Sequence, residues 1–138
     1  MAKKTLKTRE VINAYNVINT LKLQKLENEE VISILHIKRK MRPVVKAYEE
    51  LVEDARKNVV PENIEDITRK LNAQEQLTDP ENKALIDAEK RLKEILEAEQ
   101  SKEVELELGS LSESTLVKLF KDCELATKDE DLIYFLFE

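Results

Sequence analysis

The chain has one glycine, one histidine, one cysteine and no tryptophan among its 138 residues, and each scarcity closes off a class of chemistry. Phosphate-cradling loops need backbone freedom at several positions, so with Gly109 as the single glycine the Walker and dinucleotide-binding motifs are absent. A lone Cys123 forms no intramolecular disulfide, which makes a reducing, cytoplasmic compartment the simpler expectation. His36 and Cys123 are far apart, and no His-Glu-x-x-His or EF-hand spacing accompanies the acids, so neither a metal nor another cofactor is expected. Long apolar runs are missing too: nothing approaches a membrane span, and Met1-Ala2-Lys3-Lys4 leads into no signal-peptide core.

What is present is charge and aliphatic bulk. Charged residues make up 38% and apolar residues 41%, with six aromatic rings and three prolines, a composition that suits charge-laced helices in one domain. The apolar stripes described below argue against a disordered chain. The 29 acids and 23 bases leave a formal charge of −6, which favours solubility and opposes a phosphate backbone, so no nucleic-acid partner is expected. The basic run Lys38, Arg39, Lys40, Arg42 and Lys46 divides between helical faces and reads more simply as a solvated surface than as a phosphate site.

Apolar residues at 3,4 spacing dominate the middle of the chain. Val31, Ile34, Met41, Val45, Tyr48, Val52 and Ala55 share one stripe, with Lys38 out of character; Ile64, Ile67, Leu71, Leu85, Ala88, Leu92 and Ile95 share another. Asn58-Val59-Val60-Pro61 separates them, which predicts a long antiparallel helical hairpin, and exposed parts of the stripes would favour a homodimer. The first arm runs over 29–57 with Asn28 as its cap, and Pro43 predicts a kink, because the stripe keeps phase across it. The second arm divides into helices over 61–76 and 80–100. Asp79-Pro80-Glu81 reads as cap, first helical position and dipole-favoured acid, while Thr78 and Glu81 hold positions the stripe would fill with apolar residues.

Flanking segments read differently. A helix over 9–25, capped by Thr8, carries an Asn13, Asn16, Asn19 series that reads as a wet edge. After Ser101 the period becomes two, with Val104, Leu106 and Leu108 on one face and Glu103, Glu105 and Glu107 on the other: a strand over 103–108 ending at Gly109. It requires a partner, and residues 3–7 supply one, setting Lys3, Thr5 and Lys7 against glutamates and Leu6 with the apolar set. Ser110 and Glu113 are spaced as a capping box for a helix over 111–123, and Thr127 and Glu130 for a second over 128–137. The ring-rich sequence of 131–137 also suits a strand; helix is preferred, giving a C-terminal helical cap that must find cover. The fold class is thus mainly α, with one small strand pair.

Candidate reactive residues are few. His36 lies between Leu35 and Ile37, with no nucleophile-elbow serine or cysteine, and reads as a packed or partly exposed histidine rather than a general base. Cys123 follows Leu119 and Phe120 on a short apolar face and reads as core. Carboxylate pairs such as Glu29-Glu30 and Glu53-Asp54 point to different sides of a helix. No catalytic, cofactor or metal residues are assigned, and an enzyme is not expected. A hydrolase or metal enzyme would require His36 to meet several carboxylates in a pocket.

Leu6-Lys7-Thr8-Arg9-Glu10-Val11, the helix carrying Lys38 to Met41 and then Ala47-Tyr48-Glu49-Glu50-Leu51 with Arg56-Lys57, and the closing Val104-Glu105-Leu106-Glu107-Leu108 resemble a small family of phage- and prophage-encoded proteins of unassigned role. Pro43 and the aromatic ending depart from that pattern. The resemblance implies a helical protein acting among virion structural components and carries no catalytic residues. The expected function is therefore that of a non-enzymatic helical interaction protein with another protein as partner. The competing expectation is a small acidic regulator, antitoxin-like or anti-repressor-like, that masks a basic partner; clustering of the acids of residues 81–107 on one face would favour it.

Overall fold

The computed structural model describes residues 2–137 and is mainly helical, with one two-stranded antiparallel sheet. Strand β1 (Ala2–Lys7) leads directly into helix α1 (Thr8–Thr20), and α2 (Asn28–Asn58), α3 (Ile64–Asn72) and α4 (Asp79–Gln100) follow. Strand β2 (Glu103–Leu108) precedes α5 (Glu113–Asp122). A closing helical segment combines a 3-10 turn (Thr127–Asp129), α6 (Glu130–Ile133) and a second 3-10 turn (Tyr134–Phe137). Length alone suggests one domain, whereas the contacts gather into two compact units. One holds the residues up to Ala47 with those from Gln100 onward; the other is Tyr48–Glu99.

The strands pair antiparallel with the predicted faces together. Lys3, Thr5 and Lys7 stand opposite Glu107, Glu105 and Glu103, while Leu6 faces Val104 and Lys4 faces Leu106. One face is therefore charged and wet, and the other carries Leu6 and Leu108 into the core. Lys4 is the exception on the inner face, and its ammonium is accommodated twice over. It donates to the Phe135 carbonyl and lies 5.9 Å from the Phe135 ring centroid.

Among the described residues, the buried apolar side chains other than Ile67 and Pro61 belong to the first unit. Val11, Ala14, Val17 and Ile18 of α1 pack with Ile34, Ile37, Met41 and Val45 of α2 and with Leu108, Leu119, Cys123, Ile133 and Leu136. This enclosed core lies around the strand pair and the terminal helices. Ile37, left out of the predicted stripe, is 3% exposed, and Lys38 beside it lies at the edge. Helix α2 continues unbroken through Pro43, with Met41 and Val45 buried on either side.

Helix ends depart most from expectation, and a tertiary or cap contact explains each case. Thr8 does not cap α1; it is the buried first residue, and both its amide (2.8 Å) and its hydroxyl (3.0 Å) donate to the Lys102 carbonyl. The cap contact is made by Glu10, whose carboxylate accepts the Lys7 amide at 2.9 Å. Helix α1 stops at Thr20, five residues short, because Leu21 turns extended and the Lys22 amide donates to the Cys123 carbonyl at 3.1 Å, which lets Leu26 reach the core. At the start of α2, Glu30 accepts the Glu27 amide and the Glu27 carbonyl accepts from Val31, so the cap falls one residue before Asn28. Helix α5 is capped by Ser112, which accepts from Thr115, rather than by Ser110. Thr127 opens the final helical segment without a side-chain cap, and 131–137 is helical, not a strand.

In the second unit, Pro61 closes a turn by accepting from Ile64 at 3.1 Å, so α3 begins later than its proline suggests. It ends at Asn72 in a paired closure, Glu75 amide to Lys70 carbonyl and Gln74 amide to Leu71 carbonyl, with Gln74 left-handed at φ 58. Helix α4 is capped by Thr78 in a capping box with Glu81, not by Asp79. Glu81, in the position the stripe would fill with an apolar residue, is 7% exposed and accepts the Lys70 ammonium at 2.7 Å.

Two predictions follow from these junctions. Gln74→Gly removes the left-handed penalty of an L side chain and is expected to stabilise the protein by about 0.5–1 kcal/mol in chemical denaturation. The hydrogen bond from Lys70, followed by that from the Thr78 amide, holds the Glu81 carboxyl down at about 2 from its ordinary 4.5. A depressed carboxyl stabilises the fold above its unfolded value. Hydrogen-exchange protection at the start of α4 is therefore expected to be full above about pH 4.5 and to fall as the pH drops toward 2, and Glu81→Gln should flatten that dependence.

Candidate functional site

Between Val31 and Ala47 helix α2 carries His36 and five cations and no acid. Helical geometry sorts them into two flanks around the buried Ile34–Ile37–Met41–Val45 stripe. On the α1 side, the Lys38 ammonium lies 5.8 Å from the Tyr15 ring centroid. The Arg42 guanidinium beside Tyr15 holds the phenol pKa below the usual tyrosine range, against the opposing effect of burial and with help from Asn19 and Lys38. The asparagine series is exposed, as a wet edge should be.

The opposite flank borders a cleft of about 120 Å³. Its α2 wall is Ser33, His36, Ile37 and Lys40, and its other wall is the end of β2 with the chain leaving it, Glu107 to Ser110. Ile37 and Leu108, nearly inaccessible core residues, form its floor, and the exposed His36 and Lys40 stand at its rim. Ser33 is held by its hydroxyl donating to the Glu29 carbonyl at 2.9 Å. A Cβ built on Gly109 would have no atom within 4 Å, so this glycine opens onto free space instead of easing a close contact. A shallower depression adjoins the cleft, lined by His36, Arg39, Lys40 and Pro43.

The remaining candidates serve the fold. Cys123 is fully buried, and burial raises its thiol pKa, with Asp122 and Glu30 adding to the effect, so it is core as expected and not an activated nucleophile. Glu30 accepts from Lys118 and Thr115, both at 2.8 Å, fastening α5 to the start of α2. The Lys118 bond, then the Thr115 bond, lowers the Glu30 pKa, and the same carboxylate raises that of Lys118. Among the described residues, no cluster of three or more His, Cys, Asp and Glu side chains is placed to hold a metal ion.

The second unit offers a different surface. Residues 48–99 carry fifteen acids against eight bases, whereas the rest of the chain carries fourteen against fifteen. Tyr48, Leu51, Val52 and Ala55 of α2, and Leu85, Ala88, Leu92, Ile95 and Leu96 of α4, reach only intermediate burial. Leu71 and Ile86 are 54% and 62% exposed.

The cleft lay beyond sequence reasoning because its walls are about seventy positions apart in the chain. The available signal was the Ser33, His36, Lys40 spacing together with a single glycine placed at a strand end. Arg42→Gln is expected to move the Tyr15 phenol to a higher titration pH, read as the phenolate absorbance of the variant against the parent. Comparison with protein-family models, with curated proteins and with solved structures yields no match.

Proposed function

We propose that this is a non-enzymatic helical interaction protein whose contact surface is the helical unit Tyr48–Glu99. A structural accessory role of the kind used in virion assembly is the form implied by the sequence resemblance. The observation that carries the reading is the contrast in burial between the two units: the first has a closed core, while in the second, among the described residues, Ile67 and Pro61 are the buried apolar side chains. Helices at this level of self-burial retain apolar stripe to cover, and each 100 Å² covered contributes about 2.5 kcal/mol to association before ordering costs are subtracted.

Masking of a basic partner is less well supported. At about 100° per residue the α4 acids Asp79, Asp87, Glu89, Glu94 and Glu97 share one side of the helix, but Lys83, Lys90 and Lys93 lie within the same arc, so that side is not of a single sign. Hydrolysis fares worse, since the cleft beside His36 includes one carboxylate residue, Glu107, and not several.

Sedimentation equilibrium of the full chain tests the proposal. A mass that rises with concentration is expected, with Leu92→Lys plus Ile95→Lys weakening association at least about tenfold, or about 1.4 kcal/mol, at unchanged helicity. A strict monomer at high concentration would remove the homodimer.

A further inference from the structure

We infer that the cleft between α2 and the end of β2 is a binding site for a carboxylate carried on a short aliphatic group. This goes beyond the interaction surface of the second unit and is independent of it. The floor is apolar: Ile37 and Leu108 are 3% and 1% exposed and offer a hydrocarbon surface without a polar group of their own side chains. The rim on the α2 side is cationic. Lys40 stands one helical turn beyond His36, and Arg39 adds a second permanent charge to the adjoining depression.

Glu107 is the one acidic side chain among the lining residues, and it sits on the exposed face of β2, at the position opposite Lys3 in the strand pair. The carboxylate of a ligand is thus drawn to the His36 and Lys40 rim, and its aliphatic body rests on Ile37 and Leu108.

Size narrows the class. The cleft over the apolar floor offers a space of about 120 Å³, which suits a small aliphatic body, while the adjoining depression beyond His36 and Lys40 is open. A bare phosphate would fit by volume, but burying a doubly charged, strongly hydrated ion against a mostly apolar surface is costly. A branched four- or five-carbon acid matches both the floor and the rim. That chemistry has two sources: a free short-chain acid, or the terminal carboxylate of a partner polypeptide ending in a small aliphatic residue.

Because His36 is the only histidine, its ring-proton resonances report on the cleft without sequence-specific assignment. The experiment titrates the full-length protein with isovalerate at constant ionic strength and pH. A saturable shift of the His36 resonances is expected, with half-saturation at about millimolar concentration for so small a ligand.

Isovaleramide, with the same body and no charge, should bind at least tenfold more weakly, as should inorganic phosphate. Lys40→Gln should weaken isovalerate binding at least tenfold, while Lys46→Gln, which removes an equal charge from the same helix away from the cleft, should leave it unchanged. Both lysines are exposed, so neither variant threatens folding. N-acetylvaline separates the sources: binding as tight as isovalerate or tighter supports a chain terminus, and exclusion supports the free acid. A response that never saturates, equal binding of the amide or of phosphate, or an unaltered titration in Lys40→Gln overturns the inference.

Discussion

The first unit depends on the pairing of two six-residue strands that lie almost a hundred positions apart, Leu6 against Val104 at their facing ends. An isolated pair of this length is marginal in water, so it persists only because its apolar face is covered. Leu6 and Leu108 meet the core, and α1 starts without a linker where β1 stops. The Lys102 carbonyl, just before β2, accepts both donors of Thr8 and so sets the direction in which α1 departs. From there α1 and α2 share a core with α5 and the closing helical segment, and the Leu111 amide donates to the Leu136 carbonyl to hold that segment against the chain leaving the sheet.

The strand pair was legible because two signals coincide at residues 103–108: a period of two, and an acidic face that requires basic partners. Only residues 3–7 met that requirement. Helix existence was equally readable from 3,4 spacing, but helix ends were not. Thr8, Asn28, Asp79 and Ser110 are all good capping residues by type, yet the cap contacts formed elsewhere, at Glu10, Glu30, Thr78 and Ser112. A local code offers several near-equivalent caps, and a distant carbonyl such as that of Lys102 decides among them. The end of α1 gave no warning, since Leu21, Leu23 and Leu26 prolong an apolar pattern that the structure uses in an irregular segment.

The stripes of the long helices revealed their faces but not their depth. Periodicity tells which side of a helix is apolar and is silent on whether a second surface covers it. Hence the α2 stripe is core at Ile34, Met41 and Val45 but only half-buried at Tyr48, Val52 and Ala55, with no change in its pattern. Glu81 illustrates the converse. It broke the stripe and could be read as a polar interruption, yet it is enclosed, and Lys70 and Thr78 satisfy its oxygens and tie the end of α3 to the start of α4. A lost ammonium there would leave a carboxylate poorly hydrated, which gives the Lys70–Glu81 pair more influence over local geometry than an exposed pair such as Lys57–Glu53.

The discontinuity of the first unit also orders events during synthesis. Strand β1 leaves the ribosome while its complement is still uncoded in protein, and the fifty-two residues of the second unit are made in between. For that interval a short cationic edge with Leu6 on its inner side remains open, and the alternation of lysine and threonine on its outer side is what discourages it from pairing with a neighbouring chain. The helices of Tyr48–Glu99, contiguous in sequence, are free to form first, so the later-stabilised core is the one whose beginning was made earliest.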